Sequence, residues 1–88
     1  MTAQQQLRAL RDALASGDGH AAINQATMLI TTATDRPEDG DPVFWLDVCA
    51  TARRGVPIGA PASPLKSSLD ILWDMAHKAV MLSMVDYE

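Results

Sequence analysis

Residues 64–88 read as one capped helix, and that helix is too apolar to stand in water as an outer element of a lone small domain. Ser63 and Pro64 open it, and within 71–85 only Asp74, His77, Lys78 and Ser83 interrupt the apolar residues. Leu65, Leu69, Leu72, Ala76, Ala79 and Ser83 share one stripe at helical spacing. Trp73, Val80, Met84 and Tyr87 follow an adjacent stripe, and Ile71, Met75, Leu82 and Val85 take the far side. One stripe satisfies a bundle core; three exceed it. Either the other helices enclose this one, or a partner covers part of it. Met75, Met81 and Met84 favour the second reading, because flexible thioethers suit adaptable contact surfaces.

The rest of the chain divides by equally plain signals into an all-α, four-helix domain: a helical hairpin over 2–34, a helix over 42–54 and the long helix over 64–86. In the first helix Ala3, Leu7, Leu10 and Leu14 fall on one narrow stripe. Ser16-Gly17-Asp18-Gly19 stops it and caps the second, whose stripe is Ile23, Ala26, Ile30 and Ala33. The run Asp-Arg-Pro-Glu-Asp-Gly-Asp at 35–41 breaks the pattern, and Asp41 caps a helix with Pro42 at its first position. Gly55 is expected to end that helix in the left-handed conformation. Residues 55–62 carry no charge, and Pro57 and Pro61 exclude helix there.

With 88 residues there is room for one domain and one modest core, so a bound partner or self-association would add useful stability. Only 5% of the chain is aromatic, which leaves the core to aliphatic residues and many alanines. Phe44, Trp45 and Trp73 are expected to fill it where the third and fourth helices cross; the alternative is that one of them is exposed as an interface hot spot. Net charge is −4, and the basic residues are not segregated, so direct nucleic-acid binding is not expected. The apolar run 79–82 falls far short of a membrane span. A lone Cys49 and a polar, Gln-rich start without a signal-peptide pattern point to the cytoplasm.

No constellation for catalysis, cofactor or metal emerges. His20, His77 and Cys49 sit at no paired ligand spacing, and Asp74 with His77 reads as part of a solvated strip with Asp70 and Lys78. Cys49, placed on the apolar face of its helix, reads as an inert buried thiol rather than a nucleophile. Asp39 and Asp41 lie in a loop where nothing would shift their ionisation toward acid–base work. Gly17 and Gly19 follow a helix, not a strand, and no phosphate-loop lysine comes after them. Arg53 and Arg54 could contact a phosphate or an acidic partner, but their place in the last turn of a helix, where cations complement the dipole, is the expected explanation.

The stretch Ala15-Ser16-Gly17-Asp18 followed by Ala21-Ala22 resembles half of a tetratricopeptide unit over about a quarter of the chain, without that repeat's bulky aromatic positions. In size, acidity and lack of motifs the chain resembles, by type only, the small inhibitors of bacteriophages and mobile elements, anti-CRISPR proteins among them. The expected function is therefore non-enzymatic: a small acidic protein that occludes a macromolecular partner and self-associates as a homo-oligomer. Its expected contact residues are Val56, Ile58, Trp73, Met75, Met81, Met84 and Val85, with Asp35, Glu38, Asp39 and Asp41 as an acidic rim for a protein with a basic surface. The alternative is a structural subunit or assembly chaperone of a larger complex, with the last helix permanently buried.

Overall fold

The computed structural model describes residues 2–56 and 59–85 of the chain, apart from the side chains of 83–85. It consists of α1 (Ala3–Ser16), α2 (Gly19–Asp35), α3 (Pro42–Gly55) and α4 (Pro64–Val85), with a 3-10 turn at Pro37–Asp39. No strand occurs among the described residues, so the chain is all-α with its four helices within a residue or two of their expected bounds. Residue 86, the expected last position of α4, lies outside the described residues.

Each helix starts where a side chain satisfies an orphan backbone donor. Thr2 Oγ1 accepts the Gln5 N–H at 3.2 Å while Gln5 Oε1 accepts the Thr2 N–H at 2.8 Å, a reciprocal capping pair. Asp18, Asp41 and Ser63 accept from the N–H groups of Ala21, Phe44 and Lys66 at 3.1, 2.7 and 3.1 Å. Such caps are each worth about 1 kcal/mol. Gly17 closes α1 at φ 75°, as its position predicts. Gly55 does not behave as expected. It is the last residue of α3 and is not left-handed; the positive-φ glycine of that connection is Gly59. A Cβ on Gly55 would lie 2.7 Å from Leu69 Cδ1 and 3.2 Å from Leu14. An added Cβ would meet only the flexible ends of two leucine side chains, so neither backbone handedness nor rigid packing makes glycine obligatory there.

Packing sets the helices around a ring in the order α1, α2, α4, α3. Leu65 shares a crevice with Gly19 and Ala22, and Thr34 Oγ1 lies 3.7 Å from Met75 Sδ, so α2 and α4 run in the same direction. Cys49 Sγ lies 3.8 Å from the Trp73 carbonyl oxygen and Gly55 abuts Leu69, so α3 and α4 are antiparallel. The 36–41 connection therefore crosses the end of the bundle instead of joining neighbours. Trp45, fully buried, pins the crossing: its Nε1 donates to the Pro37 carbonyl at 2.8 Å. Phe44 meets it edge-on at 4.8 Å. Leu10, Leu29, Val48, Leu69 and Leu72 complete the centre, while Ala22, Ala26, Ala76 and Ala79 let the helices approach closely.

The long helix is not enclosed. Leu69, Leu72, Ala76, Ala79 and Val80 are buried along one stripe, and Ile71, Met81 and Leu82 are exposed. Length explains part of this. At about 1.5 Å per residue, the 22 residues of α4 outreach the 17 of α2 and the 14 of α3. Met75 already lies level with Thr34, one residue before α2 ends. Among the described residues no helix is long and apolar enough to cross a membrane.

Candidate interaction face

Helical spacing puts Ile71, Met75 and Leu82 on one flank of α4, and the Thr34–Met75 contact turns that flank toward α2. Met75 is half-buried in this seam with Ile30 of α2 packed against the same core. On either side of it along the stripe, Ile71 is 50% and Leu82 61% exposed. Leu82 stands seven residues past Met75, roughly 10 Å along the axis, where α2 has already ended. The end of α2 and the crossing turn are acidic, with Asp35, Glu38, Asp39 and Asp41 all exposed. Asp41 is committed to the α3 cap and Asp39 pairs with Arg36 at 3.5 Å. Asp35 and Glu38 have no ion-pair partner among the described residues. Asp35 also occupies the last turn of α2, where the helix dipole disfavours an anion.

The expected contact residues do not gather on one surface. The acidic residues 35–41 lie at the end of the bundle toward which α4 projects, and Met81 is exposed there on a different flank from Leu82. Val56 follows α3 at the opposite end, half-buried against the core. Ile58 and the side chains of Met84 and Val85 lie outside the described residues. Trp73 is half-buried at the outer edge of the α3–α4 seam, not in the centre with Phe44 and Trp45. The Arg53 guanidinium sits 4.4 Å from its ring centroid, and the His77 imidazole stacks at 4.9 Å and 11°. Arg53 thus does more than complement a helix dipole, and Trp73 is largely covered by its own neighbours. Two exposed residues of the apolar flank, Ile71 and Leu82, were not among the expected contacts. Their place at helical spacing on one stripe with Met75 is the sequence signal that marks them.

Lys66, Asp70, Asp74 and Lys78 form a polar strip along α4. Lys66–Asp70 and Asp74–Lys78 pair at 3.0 and 3.3 Å, each at i, i+4. Exposed pairs of this kind contribute a few tenths of a kcal/mol, on the order of 0.3–0.5. Cys49 is buried, and burial pushes its thiol pKa up more than the nearby Arg53 cation pulls it down. A thiol kept protonated behind Trp73 is a poor nucleophile at neutral pH. No family model, curated protein or solved structure matches the chain.

Proposed function

We propose that this chain is a non-enzymatic protein-binding module, a small acidic inhibitor or regulator that occludes a partner bearing a basic surface. The supporting observation is the flank Ile71–Met75–Leu82, which leaves two large aliphatic side chains at least half exposed beside an acidic helix end. Apolar contact supplies affinity, and the carboxylates Asp35 and Glu38 supply approach rate and choice of partner. In the absence of that partner, the same flank serves self-association.

The test uses the tagged full-length chain as bait in nuclease-treated lysate of its native host. Wild type is compared with Ile71→Glu/Leu82→Glu and with Asp35→Asn/Glu38→Gln. The expected result is a protein retained in stoichiometric amount by wild type and lost from the first variant. From the second variant it should elute at lower salt. Equal retention by all three would refute this face. A homo-oligomer that persists at nanomolar concentration would favour the structural-subunit reading instead.

A further inference from the structure

The seam between α1 and α3 is the loosest of the bundle's four sides. Arg11 straps it midway: Nε donates to the buried Thr51 Oγ1 at 3.3 Å, and the guanidinium stands 3.8 Å from Asp47. The strap separates two hollows. The first, about 290 Å³, mixes Arg8 and Arg11 with Asp41 and Asp47, so its charges answer one another. The second, about 500 Å³, is lined by Arg11, Leu14, Ala15, Thr51, Arg54 and Leu65, together with Gly55. Its described lining holds two guanidiniums and no carboxylate, in a chain whose net charge is −4. Arg54 has no ion-pair partner among the described residues. Leu14, Ala15 and Leu65 give the same hollow an apolar wall.

Its dimensions decide what it can accept. Arg11 and Ala15 are four residues apart, roughly 6 Å along α1, and Leu65 limits the far end. A partner's helix needs a longer trough than that. The volume instead falls within the range of about 300–1,000 Å³ common for small-molecule sites. We infer that this hollow binds a small amphiphilic anion. The apolar body lies on Leu14, Ala15 and Leu65, and a carboxylate, sulfonate or phosphate head sits between Arg11 and Arg54. This site is on a different seam from the flank of α4 and does not depend on the protein-binding proposal.

The experiment titrates the ¹⁵N-labelled full-length protein with sodium decanoate below its micelle concentration. Decanol and decyltrimethylammonium serve as neutral and cationic controls of equal chain length. Saturable amide shifts centred on Leu14, Ala15, Arg54, Gly55 and Leu65 are expected with decanoate alone. Arg54→Gln should weaken binding about tenfold, the scale of one charge-assisted contact. Arg8→Gln removes the same charge from the other hollow and should leave it unchanged. Ala15→Leu, a fold-neutral helix former on an exposed position, should block the hollow. Phosphatidylglycerol vesicles distinguish the source: co-sedimentation abolished by Arg54→Gln supports the same chemistry presented by a lipid, and decanoate binding without co-sedimentation supports a free ligand. Equal binding of the cationic control, equal loss in both arginine variants, or decanoate shifts that are absent or lie elsewhere would overturn the inference.

Discussion

A methyl group on Gly40 would enter the space of the Phe44 ring and stand 2.9 Å from Trp45 Nε1. Neither ring can give way, since both are buried and Trp45 is held by Pro37. Gly40→Ala should therefore cost about 2 kcal/mol, the usual scale of overpacking, seen as a lower urea midpoint. Gly55→Ala faces only the flexible ends of Leu69 and Leu14. Gly55 is the last residue of α3, where alanine gains less over glycine than the roughly 1 kcal/mol of a helix interior, and this variant should stay within about 1 kcal/mol of wild type. A Gly55→Ala loss as large as that of Gly40→Ala would show that Leu69 and Leu14 cannot give way and would refute this contrast between the two glycines. Cys49 gives a second test at this scale. A thiol whose folded pKa is raised adds stability that is complete below the unfolded value and is lost as pH rises through the folded one. Stability should fall above about pH 9, the ordinary thiol value, and Cys49→Ala should flatten that alkaline limb in pH-dependent urea melts. The caps at Asp18, Asp41 and Ser63 were legible in the sequence because a cap needs only the next three residues. The surroundings of Gly40 and Gly55 were not, because they consist of rings and methyls that folding brings together.

Between α1 and α2 the apolar stripe is interrupted by a polar pair. Thr32 Oγ1 lies 3.1 Å from Gln6 Oε1 and also 3.1 Å from the Met28 carbonyl, with both side chains buried. One hydroxyl proton serves two acceptors here, so the pair holds the helices in register without a large surplus of stability. Removing one side is worse than removing both, because a stranded buried acceptor bears its full desolvation cost of roughly 1–3 kcal/mol. Thr32→Val should cost about 1–2 kcal/mol, and adding Gln6→Leu should recover most of it. A thermal-melt cycle in which the double variant is as unstable as the sum of the singles would refute the coupling. The stripe Ala3, Leu7, Leu10 and Leu14 was readable from spacing alone. The burial of Gln6 was not: the side chain looks like solvent-facing helix until its partner, twenty-six residues away, is in place. Similarly, the excess of apolar surface on α4 could be read from its three stripes. Which residues of those stripes stay uncovered depends on how α2 and α3 lie against α4 and, for Leu82, on where α2 ends.

The arrangement of the whole molecule follows from one connection. Short links and alternating directions suggest that successive helices are neighbours, yet 36–41 carries the chain across the bundle end, and α4 inserts between α2 and α3 in the ring. Every helix could be placed from sequence; this order could not, because the packing that accompanies it, with the buried Trp45 Nε1 donating to the Pro37 carbonyl, exists only in the assembled bundle. The consequence is unequal cohesion. The α3–α4, α2–α4 and α1–α2 faces are tightly packed, whereas α1 meets α3 lightly, across two hollows and the Arg11 strap. α1 is thus held firmly on one side only, and helices with the least buried packing open first. Native-state hydrogen exchange should show α1 amides, including the buried Leu10, opening at lower free energy than those of Val48 in α3 or Leu72 in α4. Arg11→Ala should widen the gap by removing the strap, with little change in exchange at Leu72. If Leu10 exchanges only with global unfolding and Arg11→Ala leaves it so, the α1–α3 side is as cohesive as the others.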